Sequence, residues 1–68
     1  MRLMLNGREQ ELASGATVAT VLEASGAPAA GRGVAVAVDG EVVPRGEWDR
    51  TLLSDGQRVE VLQAVGGG

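Results

Sequence analysis

The sequence predicts an α+β fold, a mixed sheet of four to five strands with one main helix packed on one face. Two residue pairs, Asn6-Gly7 and Asp39-Gly40, each indicate a tight hairpin, because both central residues of a type I′ turn take a positive φ. Between these hairpins, residues 17–25 carry apolar side chains at helical spacing. One helix that covers one face of a sheet is a stable two-layer arrangement.

The first hairpin is predicted over residues 1–12, with Asn6-Gly7 as its two-residue loop. Leu5 then lies opposite Arg8. Because side chains alternate along a strand, one face of the hairpin collects the large apolar residues, which are Met1, Leu3, Leu5 and Leu12.

The helix is predicted to begin after Thr17, a residue type that caps helix N-termini with its hydroxyl. Val18, Val21 and Leu22 follow the spacing of a narrow apolar stripe. Gly26 suits the left-handed position after the last turn, and Pro28 prevents the helix from continuing. We therefore expect a short helix whose stripe faces the core.

The second half of the chain is predicted to contain three shorter elements and a last strand. Residues 34–38 form an apolar strand, and residues 41–43 return beside it until Pro44 stops the pairing. Residues 46–53 hold a helical turn. The last strand covers residues 58–65, with Val59 and Val61 inward and Glu60 and Leu62 outward. The helical turn is expected to bring three large side chains to the core, namely Trp48, Leu52 and Leu53.

If the last strand lies parallel beside the first, the sheet has a central parallel pair with hairpins outside. That arrangement is the β-grasp, the fold of ubiquitin. The pattern alone leaves a ferredoxin-like fold open, but such a fold needs a second full helix, for which residues 46–53 are too few. We expect a β-grasp domain over residues 1–65 and a flexible glycine tail over residues 66–68.

The composition excludes several classes of function. The 68-residue chain has a net charge of −3 and contains no Cys and no His, so thiolate and imidazole groups are missing for catalysis or for a metal site. A net negative chain with Trp48 as its one aromatic residue is unsuited to nucleic acid. The longest apolar run, Val34 to Val38, has five residues, and a membrane span needs about 20. We expect a cytoplasmic protein that is not itself an enzyme.

The most conspicuous chemical feature is the run of glycines at residues 66–68. A segment without Cβ atoms can thread a narrow channel in a partner enzyme, and from Ala64 to Gly68 it reaches roughly 15 Å when extended. The carboxylate of Gly68 is unhindered and can attack the α-phosphate of ATP to form an acyl adenylate. Gly66 and Gly67 would thread the partner's site, and the partner would supply the Mg²⁺ and the base.

The outward face of the sheet is the candidate for recognition by such a partner. If the strands align as predicted, an uncharged apolar patch lies near the tail. A partner could dock on this patch while it binds the tail. Ordinary exposed apolar surface is the alternative, and it is common. The patch is predicted to comprise Met4, Ala35, Ala37, Leu62 and Ala64.

Two motifs and the glycine terminus carry a resemblance to a known family. The segment DGEVVPRGEW at Asp39–Trp48 is the most specific, and D-G-x-x-V-E-V at Asp55–Val61 supports it. Over essentially its whole length the chain resembles the ThiS sulfur carriers of thiamin biosynthesis, a ubiquitin-like β-grasp family. The resemblance implies a ThiF-type enzyme that uses ATP and Mg²⁺ to adenylate Gly68. A sulfur donor enzyme would then form a thiocarboxylate, which a ThiG-type thiazole synthase would consume. The chain itself would bind no cofactor.

Three other functions remain open from the sequence. A ubiquitin-like protein modifier would use the same adenylation but end in an isopeptide bond. The small subunit of molybdopterin synthase is the nearest competitor among sulfur carriers, although its pattern is not evident in Asp39–Trp48. A plain binding module would keep its full function without the glycines.

Overall fold

The computed structural model describes residues 1–26 and 33–63. Five strands form one sheet in the order β2-β1-β5-β3-β4. The central neighbours β1 and β5 are parallel, and the other neighbouring pairs are antiparallel. One main helix and a mixed sheet with a central parallel pair confirm the predicted β-grasp. The elements are β1 (Arg2–Leu5), β2 (Arg8–Glu11), α1 (Val18–Ser25), β3 (Val34–Val38), β4 (Glu41–Val42), a 3₁₀ helix (Arg45–Glu47) and β5 (Arg58–Gln63).

Both predicted hairpin turns form as type I′ turns. Asn6 and Gly7 have φ of 50° and 80°, and Asp39 and Gly40 have φ of 50° and 85°. The first turn sets Leu5 opposite Arg8, as predicted. The residue pair at each turn therefore fixes the register of its hairpin.

The helix α1 begins and ends where its caps predict. The Thr17 hydroxyl accepts a hydrogen bond from the Thr20 backbone N–H, and the Thr20 hydroxyl accepts one from the Thr17 N–H. After the helix, Gly26 takes a φ of 78°, and its N–H donates to the carbonyl of Glu23. Pro28, the predicted stop, lies outside the described residues.

The core lies between α1 and one face of the sheet. Its members come from the helix, from the three middle strands and from the connection between β4 and β5. Within residues 1–26 and 33–63, no helix covers the opposite, outer face of the sheet. The core cluster comprises Leu3, Val18, Val21, Leu22, Val36, Trp48, Leu53 and Val59.

The prediction that Leu52 faces the core is wrong. Leu53 is 5% exposed, but Leu52 is 66% exposed. Residues 51–53 run extended beside residues 16–18, since the Val18 N–H donates to the carbonyl of Thr51 and the Leu53 N–H to that of Ala16. Consecutive side chains point to opposite sides of an extended segment. The helical turn ends before these residues, so only one of the two leucines can be buried.

Replacing the two leucines separately tests this assignment. We expect Leu53→Ala to lower the free energy of unfolding by about 2–5 kcal/mol, the usual cost of truncating a buried leucine. Leu52→Ala should change it by less than about 0.5 kcal/mol, as at most exposed positions. Urea denaturation followed by circular dichroism measures both. Equal losses in the two variants would contradict the structure.

The last strand matches its prediction as far as the structure describes it. Val59 is buried and Val61 is half-buried, whereas Glu60 and Leu62 are exposed. β4 is one residue shorter than predicted, although the N–H of Val43 still donates to the carbonyl of Val36 at 2.8 Å. Residues 64 and 65, predicted to extend β5, lie outside the described residues.

Candidate functional site

The outer face of the sheet carries an apolar surface beside the end of β5. The strand register places Leu62 opposite Ala35 and Ala37 opposite Val42. Leu62 is 64% exposed and Val42 is 73% exposed. Glu60, the β5 partner of Ala37, borders this surface. We call the four apolar residues the outer patch: Leu62, Ala35, Ala37 and Val42.

Val42 is a member of this surface that the sequence reasoning missed. Its position follows from the Asp39-Gly40 turn, because a two-residue loop fixes Ala37 and Val42 as partners. The alternation of β3 then puts both side chains on the outer face. The signal was therefore present in the sequence.

Met4 lies on the same face but apart from the outer patch. Its partner on β5 is Arg58, four residues before Leu62, a separation of ~13 Å along a strand. Arg58 and Glu60 point outward between them. The expected patch is therefore interrupted by charged residues. Ala64, its fifth predicted member, lies outside the described residues.

Met4 instead lines a shallow depression of about 560 Å³ on the outer face. The Asn6-Gly7 turn and the charged residues Arg58 and Glu60 also line it. The structure thus separates Met4 from the apolar surface near the end of β5.

Two turn residues hold β5 through their side chains. The amide of Asn6 accepts a hydrogen bond from the Val61 N–H at 2.8 Å and donates to the Val61 carbonyl at 3.2 Å. The carboxylate of Asp39 accepts a hydrogen bond from the Arg58 N–H at 2.9 Å. These contacts secure β5 near its end and at its beginning.

The predicted tail lies outside the described residues. Gln63, which pairs with Val34 of β3, is the last residue that the structure describes. The roles of Gly66, Gly67 and Gly68 therefore stay predictions. The central strand that leads to them is placed, with the outer patch beside its end.

Neither a metal cluster nor a membrane helix is present in the described part of the chain. Within residues 1–26 and 33–63, no three acidic side chains come together in a way that could hold a metal ion. No helix in these ranges is long and apolar enough to cross a membrane.

Comparison with known proteins identifies the family. The model of the ThiS family matches residues 3–68. The sulfur carrier protein ThiS of Escherichia coli is 31% identical over 68 residues, which is all of both chains. A thiazole synthase of Paramagnetospirillum magneticum is 32% identical over the same length, but this chain spans only 20% of that protein.

Solved structures agree with the sequence comparison. The crystal structure of the thiamine biosynthesis protein ThiS from Geobacter metallireducens is 36% identical, with a TM-score of 0.80 over the whole of both chains. A solution structure of a thiamine biosynthesis protein from the same organism gives a TM-score of 0.81 and covers all of this chain and 88% of that one. The β-grasp domain described here therefore belongs to the ThiS family, the small sulfur carriers of thiamin biosynthesis.

Proposed function

We propose that the chain carries sulfur as a thiocarboxylate on Gly68. A ThiF-type enzyme with ATP and Mg²⁺ would activate the Gly68 carboxylate, whose oxygen attacks the α-phosphate and releases pyrophosphate. A donor enzyme would supply sulfur at the oxidation level of sulfide. Its attack on the acyl carbon displaces AMP and leaves the thiocarboxylate. The finished thiocarboxylate passes its sulfur to a ThiG-type thiazole synthase. We propose that the protein works in the cytoplasm, where ATP is available to the activating enzyme.

One observation carries this proposal, namely the likeness to a sulfur carrier over the whole length of both proteins. The family match runs through residue 68 and so includes the glycines. The thiazole synthase that resembles this chain over a fifth of its length supports a thiazole synthase as the sulfur acceptor.

The side chains of this protein explain why a partner enzyme would supply the activating chemistry. The chain has no Cys and no His, the groups that most often serve as nucleophile or neutral-pH base. The reacting carboxylate therefore relies on a partner for activation. Gly66 and Gly67 have no Cβ, so they can pass through a narrow channel to bring that carboxylate to the partner's ATP.

Intact-mass spectrometry tests the proposal directly. The chain is incubated with a ThiF-type enzyme, ATP, Mg²⁺ and a sulfur donor, and we expect a mass gain equal to the exchange of one oxygen for one sulfur. Omitting ATP should prevent the gain. An unchanged mass in the complete mixture would refute the proposal, and covalent conjugates to other proteins would favour a ubiquitin-like modifier.

The outer patch is proposed as the partner's docking surface. Leu62→Thr removes an exposed apolar side chain but keeps a residue suited to a strand. We expect kcat/KM for adenylation to fall about tenfold, the typical effect of losing one important interface side chain. Leu52→Thr is the matched control, because Leu52 is 66% exposed and Leu62 is 64% exposed. If both variants lose activity equally, the docking assignment fails.

A further inference from the structure

Among the residues that the structure describes, the end of β5 is paired with a strand on one side only. On the β3 side, pairing continues to Gln63 opposite Val34. On the β1 side, the strand ends at Leu5 because the chain turns at Asn6-Gly7. The Asn6 N–H makes one more bond, to the Val59 carbonyl at 2.9 Å. Strand β1 does not extend far enough to lie beside the backbone of Val61.

The side chain of Asn6 replaces the missing strand. Its Oδ1 accepts from the Val61 N–H at 2.8 Å, and its Nδ2 donates to the Val61 carbonyl at 3.2 Å. A carboxamide offers one acceptor and donors together, as a backbone residue does, whereas an ionised carboxylate offers only acceptors. Asparagine also tolerates the φ of 50° that the turn requires.

We propose that Asn6 is the positioning residue that holds the end of β5 and so sets where the carrier tail leaves the sheet. The proposal rests on the function proposed above. Val61 lies next to Leu62 of the outer patch and two residues before Gln63, the last residue that the structure describes. Asn6 therefore secures the docking surface and the root of the tail together.

The physical consequence of losing Asn6 is fraying of this end. The polar atoms of Val61 would exchange the amide for water, and β3 alone would hold residues 61–63. Fraying frees residues 61–63 from the sheet and so lengthens the connection to the Gly68 carboxylate, which lowers the effective concentration of that carboxylate at the partner's site. It also loosens Leu62, so recognition and delivery weaken together.

Asp39 provides a matched control in the same molecule. Its φ of 50° equals that of Asn6, and a glycine with positive φ follows each of them. Its carboxylate also accepts a hydrogen bond from a β5 backbone N–H, that of Arg58. This contact lies at the beginning of β5, far from the tail. Asp39 therefore has the same turn geometry as Asn6 and also contacts β5, but at the opposite end of that strand.

The test compares Asn6→Gly with Asp39→Gly. Glycine suits a type I′ turn, so both hairpins should remain. We expect Asn6→Gly to raise the KM for adenylation about fivefold to tenfold, the lower end of the effect expected for two lost hydrogen bonds, with little change in kcat. The Val61 amide should lose protection from hydrogen exchange. Asp39→Gly should keep the KM within about twofold of the unmodified chain, on the same scale.

Several results would overturn the proposal. Equal rises in KM for the two variants would show a general structural effect, and a protected Val61 amide in Asn6→Gly would show that the side chain does not hold β5. Asn6→Asp is a second variant, in case the first does not fold. It keeps the acceptor and loses the donor, so it should raise the KM by a smaller factor. An unmodified chain that is never adenylated counts against the proposed function, while hydrogen exchange still tests Asn6.

Discussion

Deletion of Gly67 and Gly68 together is expected to abolish sulfur acquisition and to leave the fold intact. The new terminus, Gly66, still ends in a glycine carboxylate, so the reacting group is chemically unchanged. The tail is shorter by about 7 Å when extended, and the carboxylate no longer reaches the partner's ATP. Intact mass after incubation with the activating enzyme, ATP and a sulfur donor measures the loss.

Removing Gly68 alone distinguishes the effect of tail length from the effect of losing the terminal glycine pair. This variant ends in Gly66-Gly67, so it keeps a terminal glycine pair but loses about 3.5 Å. We expect slower sulfur acquisition that still goes to completion, because two glycines suffice for threading. Circular dichroism should show the same thermal unfolding for both deletions and the full chain, since no core residue is removed. Full sulfur acquisition by the double deletion would contradict the argument from reach, because the Gly66 carboxylate would then be accepted in place of that of Gly68.

Trp48→Ala should have the largest effect on stability. Trp48 is 8% exposed and is the one aromatic residue of the chain. Its indole Nε1–H donates to the Val43 carbonyl at 2.9 Å, which ties the segment after β4 to the core. Truncating a buried tryptophan costs about 3–5 kcal/mol. A domain of this size has roughly 3–10 kcal/mol in total, so a large part of the population should unfold.

Urea denaturation followed by circular dichroism measures this effect, because the variant has no tryptophan fluorescence. Trp48→Phe is the control. It keeps most of the apolar ring but loses the bond to Val43, so it should cost clearly less than the alanine variant. A Trp48→Ala chain as stable as the original would mean that the side chain does not support the core. The sulfur assay adds a further check, since a chain whose β-grasp domain is partly unfolded should be adenylated more slowly.

The local features of the fold were predictable because they depend on neighbouring residues. Asn6-Gly7 and Asp39-Gly40 fixed the two hairpins, since only a few residue types accept a positive φ at both positions of the turn. Thr17 and Gly26 fixed the ends of the helix through caps that act within one turn. The family could also be predicted, because the motif at Asp39–Trp48 is contiguous.

The exposure of Leu52 could not be predicted from local sequence patterns. Leu52 and Leu53 are equally apolar, and a helical turn could have buried both of them. The pairing of residues 51–53 with the segment before α1 made the chain extended there, so the two side chains point to opposite sides. The choice between them depends on a contact between segments more than 30 residues apart in the sequence.

By itself, the sequence determined the strands, the turns and the helix, and it predicted a chemistry confined to a glycine carboxylate, because each depends on residue types within a short stretch. Only the tertiary structure decided which side chains meet across the sheet. It separated Met4 from Leu62 by the charged residues of β5, and it brought the amide of Asn6 to the backbone of Val61, 55 residues away. Such contacts depend on the register of the parallel strands β1 and β5, which no turn between them fixes.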